Sequence, residues 1–187
     1  DMDFKEEGIV ETIKSVMLPI WNTYSFFTTY ANIDGWKKDG TEVWFSRHGE
    51  STSNVANKMS DSKDNPELTE KGREQARNAG KTLREQGKQF DVIIHTDRIR
   101  ALDTARLIGE EIWFTGEYII NDGFAEQTAG EYANKTLEEI AQIAWISDAS
   151  DHIALRKIYK NNSVENLEQF EKRIITTYEE LLEKYKG

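Results

Sequence analysis

The sequence predicts an α/β layered domain, with a mostly parallel sheet and flanking helices, preceded by an N-terminal helical segment. Three short apolar runs rich in strand-forming residues lie at 43–45, 92–94 and 118–120. Between and after these runs, apolar residues recur at the three- and four-residue spacing of amphipathic helices. Strands that alternate with helices are typical of parallel α/β sheets, in which ligands bind at the carboxyl ends of the strands.

The first helix of the predicted α/β domain, at 69–86, has a recognisable beginning and end. Thr69 is a residue type that caps helix N-termini, and Gly87 lies just beyond the last turn. Further helices are predicted at 98–112 and 163–185, from the same periodicity of apolar residues.

Residues 1–36 are predicted to form a separate helical segment. Apolar residues at helical spacing run from residue 6 to about residue 31, and Pro19 should kink or divide this helix. The polar, glycine-bounded residues 35–40 are predicted to be a linker. The α/β domain is then expected to span residues 41–187.

Composition excludes several classes of protein. The formal net charge is −10 and the chain has no run of basic residues, which argues against DNA, RNA and anionic membranes as general partners. Because the sequence contains no cysteine, disulfides, thiolate catalysis and cysteine-based zinc sites are excluded. The most apolar stretch, residues 16–30, is too short and too polar to span a bilayer, and no signal peptide is visible. We therefore expect a cytoplasmic protein.

The residues at the end of the first predicted strand have the chemistry of a phosphate site. Arg47, His48 and Gly49 stand there in sequence, with Asn54 a short distance beyond. Glycine lets the backbone approach a ligand closely, and arginine offers a planar, permanently charged fork that suits phosphate oxygens. A neutral imidazole can act as a nucleophile, which divides phosphoryl transfer into two steps.

Four blocks of sequence resemble the histidine phosphatase superfamily, the phosphoglycerate-mutase-like group. They match its patterns Arg-His-Gly-Glu with a nearby Asn, Leu-Thr-x-x-Gly-x-x-Gln-Ala, Arg-Ala-x-x-Thr-Ala and Glu-x-x-x-Gly-x-aromatic. In chain order the blocks are 47–50 with Asn54, 68–76, 100–105 and 126–132. The resemblance covers roughly residues 41–187 and implies a phosphoglycerate-mutase-like layered fold.

The resemblance implies a role for each matching residue. His48 would accept the phosphoryl group, and Glu126 would protonate the leaving oxygen. Arg47 and Arg100 would bind the phosphoryl oxygens, and Asn54 would add a hydrogen bond. The expected partner is a phosphorylated small molecule. No metal and no other cofactor are expected, because the arginines would neutralise the developing charge.

The chain departs from the family pattern at three places. His95, Thr96 and Arg98 stand where the family has a serine pair before a leucine; His95 could line the pocket or cap a strand, and Arg98 is predicted to lie on the surface. Residues 131–134 differ from the family's tryptophan-glutamate-glycine turn. A second histidine, in a late His-Gly pair, has no counterpart before Gly187. We therefore expect a fragment of a longer polypeptide, truncated and impaired in catalysis.

Residues 18–36 carry a different resemblance. Their aromatic and asparagine pattern resembles the segment of isoleucyl-tRNA synthetases that follows the catalytic domain. The run Lys-Met-Ser-Asp-Ser at 58–62 is similar to a synthetase loop, but it lies after this segment instead of before it, so we interpret it as coincidence. This resemblance implies tRNA as a partner only through a parent protein.

The sequence therefore predicts a phosphomonoesterase or mutase domain that works through a phosphohistidine on His48. We expect it to be inserted in, or fused to, an isoleucyl-tRNA synthetase-like polypeptide. Two alternatives remain open. The domain could be a catalytically degenerate insert with a structural or binding role, or it could only link the domains of an aminoacylating parent.

Overall fold

The computed structural model describes residues 34–38, 41–59, 65–127, 129–143 and 165–185. The predicted N-terminal helix at 6–31 lies outside the described residues. Within these ranges, no helix has the length and apolar character needed to cross a membrane.

A β-hairpin leads into the domain. Strand β1 (Asp34–Lys38) pairs antiparallel with β2 (Thr41–Phe45), in a register that joins Asp34 to Phe45 and Lys38 to Thr41. The predicted linker is therefore wrong at residues 35–38, and residues 34–36 form a strand where the sequence predicts the end of a helical segment. Strand β1 was not predicted because most of its residues are polar. The sequence does carry a hairpin signal, because an Asp-Gly pair between two strands favours a two-residue turn.

Helix α2 confirms the predicted helix boundaries closely. After a single turn of helix, α1 (Thr52–Val55), the chain forms α2 (Glu70–Glu85). The side chain of Thr69 accepts a hydrogen bond from the backbone N–H of Gly72, so Thr69 is the predicted N-cap. Gly87 has a positive φ of 69°, which glycine adopts without strain just past a helix end.

Along the chain, the parallel strands come after α2 and before the loop that contains Glu126. Strand β3 (Val92–His95) and β4 (Glu117–Ile120) pair in parallel, and helix α3 (Ile99–Glu111) connects them. The face that α2 presents to α3 is built from small and aliphatic side chains, and packing between the two helices, together with a residue just before α2, forms one part of the core. Its buried members are Leu68, Ala76, Ala79, Leu83, Leu107 and Ile108.

In the described part of the chain, two further helices follow a loop that contains the 3₁₀ turns Asp122–Phe124 and Gly130–Tyr132. They are α4 (Leu137–Ile143) and α5 (Leu167–Lys184). The predicted start of the last helix near residue 163 is too early, because Asn166 caps α5 by accepting a hydrogen bond from the Gln169 backbone N–H. The predicted α/β fold with a parallel sheet is confirmed; the described strands form one parallel and one antiparallel pair.

A close backbone contact joins the turn after β2 to the first turn of α2. A Cβ atom added to Gly49 would lie 2.2 Å from the carbonyl oxygen of Gly72, and one added to Gly72 would lie 2.1 Å from the carbonyl oxygen of Glu50. Neither backbone can move away cheaply, because both positions are buried. Both glycines are therefore required by packing, and their contact fixes the turn that carries His48.

This contact predicts the sign of a glycine substitution. In an exposed helix Gly→Ala would stabilise by about 1 kcal/mol, whereas Gly72→Ala should destabilise the protein by about 1–3 kcal/mol through overpacking. Urea unfolding measures the difference. Asn78→Ala, at an exposed position of the same helix, is the control and should stay within about 0.5 kcal/mol of the wild type. A stabilised Gly72→Ala protein would contradict the close contact.

Candidate active site

The turn after β2 is held by backbone hydrogen bonds to both neighbouring helices. The N–H of Gly49 donates to the hydroxyl of Thr104 on α3, at 3.1 Å. The N–H of Glu50 donates to the side-chain oxygen of Gln75 on α2, at 2.9 Å, and the Glu50 carbonyl accepts from the Thr69 N–H at 2.9 Å. Hydrogen bonds to α2 and α3 thus hold the turn on both sides.

Thr104 connects this turn to Arg100. Its buried hydroxyl accepts from Gly49 and donates to the carbonyl of Arg100, at 2.7 Å. The Arg-Ala-x-x-Thr-Ala and Gln-Ala blocks therefore have a structural explanation: Thr104 and Gln75 hold the turn, while Ala76 and Ala105 fill the core. The resemblance implied a role for Arg100 in these blocks, but none for Thr104 or Gln75.

The ring of His48 is fixed at both nitrogens. Nε2 lies 3.1 Å from Nε of Arg100, and Nδ1 lies 2.7 Å from the carbonyl oxygen of Gly49. Because the guanidinium can only donate, Nε2 must be an acceptor, so the proton resides on Nδ1 and is donated to Gly49. The imidazole is therefore neutral, with a nucleophilic lone pair on Nε2.

Burial and charge keep this imidazole neutral. Desolvation by the surrounding protein is the largest cause that lowers the pKa of His48, from 6.5 to about 3, and the charge of Arg100 adds to it. The hydrogen bond to the Gly49 carbonyl opposes this lowering of the pKa, and the charge of Arg47 contributes to it. At neutral pH the ring is a nucleophile and not a cation.

Arg100 lies at the centre of the site. Its side chain is only 3% exposed, and Nη2 donates to Oε2 of Glu126 at 2.7 Å. The third nitrogen, Nη1, is buried and has no hydrogen-bond partner among the described residues. A buried guanidinium donor is costly to leave unpaired, so Nη1 is suited to an anionic oxygen from a ligand.

Three of the five predicted site residues are joined directly. A chain of hydrogen bonds runs from His48 through Arg100 to Glu126, whose side chain is 28% exposed and so reaches solvent. Arg47 is exposed and lies near enough for its charge to lower the pKa of His48.

Asn54 hydrogen-bonds to the residue that begins its own helix and not to the other predicted site residues described above. Its Oδ1 accepts from the backbone N–H of Ser51 at 2.9 Å and from the Ser51 hydroxyl at 2.8 Å, and so caps α1. The described contacts of Asn54 are thus structural, and its bond to a phosphoryl oxygen stays a prediction.

The departures from the family pattern at the end of β3 are accommodated locally. His95 is buried, and its Nδ1 lies 2.7 Å from the carbonyl oxygen of Thr96. Arg98 forms an ion pair with Asp97, and only 16% of its side chain is exposed, so it lies deeper than the predicted surface position.

A model of the histidine phosphatase superfamily (branch 1) matches residues 43–187. The chain belongs to this superfamily. The match includes all four sequence blocks and the residues of the hydrogen-bonded site. The domain is accordingly a phosphatase- or mutase-like member of that superfamily.

Relatives of this histidine phosphatase domain include both mutases and phosphatases. A 2,3-bisphosphoglycerate-dependent phosphoglycerate mutase of Methylorubrum populi is 38% identical over 108 residues, which are 57% of this chain and 50% of the mutase. A phosphoglycerate mutase structure from Bacillus anthracis gives a TM-score of 0.64 at 21% identity, with 74% of this chain and 66% of that chain covered. An alpha-ribazole phosphatase from Shigella flexneri gives 0.60 at 25% identity, covering 74% and 65%.

The chain spans about half the length of the curated mutases that it matches. It also matches the isoleucine–tRNA ligase of Treponema pallidum, with 51% identity over 35 residues, which are 19% of this chain and 3% of the ligase. This second similarity is short, and it concerns a small part of a much larger protein.

The tautomer and low pKa of His48 predict its titration. In NMR spectra, His48 should stay neutral with the proton on Nδ1 as the pH falls through 6.5, and should titrate only near its pKa of about 3. A midpoint near 6.5 would contradict the buried, arginine-flanked ring.

The same pKa difference predicts a loss of stability in acid. The unfolded chain binds a proton at His48 below pH 6.5, whereas the folded chain does so only near pH 3. Unfolding is therefore favoured progressively as the pH falls between these values. His48→Asn, which keeps an amide donor towards Gly49, should show a shallower loss of stability over this range.

Proposed function

We propose that residues 41–187 form a phosphoryl-transfer domain that hydrolyses phosphomonoesters through a phosphohistidine on His48. The observation that supports this most strongly is the buried guanidinium of Arg100. It contacts the nucleophile and the acid through two of its nitrogens and keeps the third unpaired.

A phosphate dianion would complete the hydrogen bonding of this site. One oxygen would accept from Nη1 of Arg100, and the exposed fork of Arg47 could reach another. The chain has a formal net charge of −10, so long-range attraction of an anion is unfavourable. Binding must then rely on these local cations and on the neutral state of His48.

The proposed reaction has two steps. Nε2 of His48 attacks phosphorus as the bond to the ester oxygen breaks, and the protonated form of Glu126 gives its proton to the departing oxygen, which leaves Glu126 as a carboxylate. Water then attacks the phosphohistidine, Glu126 takes a proton from this water, and inorganic phosphate leaves as the P–N bond breaks. Before attack, the hydrogen bond between Nε2 and Arg100 must open, which releases a further donor for the phosphoryl group.

Hydrolysis and mutase activity differ only in the acceptor of the second step. Water gives a phosphatase, and a hydroxyl of a phosphorylated acceptor gives a mutase. The relatives carry both names, and we favour hydrolysis because the carboxylate of Glu126 reaches solvent and could activate water. The substrate is then a phosphorylated small molecule.

Trapping the phosphoenzyme tests the proposal. The chain contains three histidines, His48, His95 and His152. Acid-labile, base-stable label from a 32P-phosphomonoester should be lost in His48→Ala and kept in His95→Asn and His152→Asn. Turnover of a generic aryl phosphate should fall by roughly 1,000-fold or more in His48→Ala, because the nucleophile is removed. Undiminished turnover in that variant would refute the proposal.

A second candidate function follows from the 35-residue similarity to an isoleucine–tRNA ligase. Here the domain is a catalytically degenerate insert in a cytoplasmic ligase-like polypeptide, and tRNA is a partner of that polypeptide alone. His48, Arg100 and Glu126 already hydrogen-bond one another without a ligand, which is compatible with such an insert.

Aminoacylation by the longer polypeptide discriminates between the two candidates. Deleting residues 41–187 should leave isoleucylation of tRNA within about threefold if the domain is an independent phosphatase. A structural insert should instead be needed for charging. Complete loss of charging, together with absence of phosphatase activity, would favour the insert.

A further inference from the structure

The loop that presents Glu126 is fastened to α5 by one arginine. Nη1 of Arg173 donates to the carbonyl oxygens of Gly123 at 2.9 Å and Ala125 at 3.1 Å, with a third, longer contact to Asp122 at 3.5 Å. A single nitrogen thus contacts three backbone carbonyls on the N-terminal side of Glu126.

The rest of the Arg173 guanidinium is held by a carboxylate. Nε donates to Oε1 of Glu165 at 2.8 Å and Nη2 donates to Oε2 at 2.6 Å, which is the bidentate arrangement that restrains both groups. Only 16% of the Glu165 side chain and 27% of the Arg173 side chain are exposed. The pair is therefore shielded and geometrically fixed, unlike a mobile surface ion pair.

The same carboxylate residue also holds the other side of the loop. The buried side chain of Gln127 donates from Nε2 to the backbone carbonyl of Glu165, at 2.6 Å. Ala125 is thus anchored to Arg173 within α5, and Gln127 to Glu165 just before it, so both neighbours of Glu126 are held. Residue 126 is the point between two anchors, and its side chain is directed to Arg100.

Packing leaves the loop little freedom to shift against α5. A Cβ atom on Gly123 would lie 2.1 Å from the hydroxyl oxygen of Thr177. The ring of Phe124 contacts Phe45 of β2, with centroids 6.3 Å apart, and Phe45 contacts Tyr178 of α5 at 5.8 Å. The loop is therefore packed between β2, which leads into the turn with His48, and the helix that carries Arg173.

We propose that Arg173 is a positioning residue that fixes the carboxyl group of Glu126 so that its protonated form can protonate the leaving oxygen. This inference rests on the proposed role of Glu126 as the acid. A displacement of about 1 Å in a reacting group can cost on the order of 100-fold in rate, so two anchors beside the acid have a direct catalytic consequence. Lysine could supply the charge of Arg173 but not its fork.

The dependence on the leaving group separates positioning from general destabilisation. An alkyl phosphate needs protonation of its departing oxygen, whereas 4-nitrophenyl phosphate has a stable anion as its leaving group. Arg173→Ala should lower kcat for the alkyl ester by about 10- to 100-fold and for the aryl ester by less than about threefold, with little change in KM. Arg173→Lys should resemble Arg173→Ala.

Arg84→Ala is the matched control. Arg84 also donates to a backbone carbonyl and a carboxylate, both of Glu111, but it lies between α2 and α3, away from the Glu126 loop. It should lower the thermal midpoint without changing the ratio of alkyl to aryl turnover. Equal loss on both esters in Arg173→Ala would overturn the inference.

A double-mutant cycle links Arg173 to Glu126. In a Glu126→Gln background, Arg173→Ala should cause no further loss on the alkyl ester, because the acid is already absent. An additional loss of 10-fold would show that Arg173 acts on something else.

Two outcomes separate this inference from the proposed function. If aryl phosphate turnover survives His48→Ala, or if the wild-type chain has no turnover, the proposed function fails. The positioning role of Arg173 is then tested by structure alone. In a crystal structure of Arg173→Ala, the hydrogen bond from Arg100 to Glu126 should be broken. An unchanged Glu126 would overturn it.

Discussion

The burial of the Arg100 guanidinium is the constraint on which the rest of the site depends. A charge removed from water costs several kcal/mol unless partners replace its hydration. His48 and Glu126 supply two of these partners, and the fold must bring them from different segments to one point. One nitrogen stays buried and unpaired among the described residues. The simplest interpretation is that an anionic ligand accepts the remaining hydrogen bond.

Helix α3 holds both the turn that carries His48 and the guanidinium that contacts its ring. Arg100 and Thr104 are one helical turn apart, so their side chains leave the same face. Thr104 holds the backbone of Gly49, while Arg100 contacts the ring of the preceding residue, His48. The glycine contact between the turn and α2 completes this support. Any shift of α3 would therefore move the histidine and the arginine together, which preserves their relative geometry.

Sequence reasoning predicted those parts of the protein in which local signals agree with the fold. Thr69 and Gly87 mark the ends of α2 by cap chemistry, and the four blocks locate His48 and Arg100 through resemblance. The pairing of β1 with β2 was not predicted, because polar residues can form a strand when a neighbouring strand supplies the register. The role of Arg173 was not predicted, because it contacts backbone carbonyls that are distant in sequence, and such contacts leave no sequence motif.

A crystal structure of the chain grown with orthovanadate would show whether Arg100 and His48 share one oxyanion site. We expect one oxyanion hydrogen-bonded to Nη1 of Arg100, with Nε2 of His48 facing vanadium and the Arg100 bond to Nε2 opened. An oxyanion bound elsewhere, or an occupied site in which Nη1 still has no partner, would contradict it.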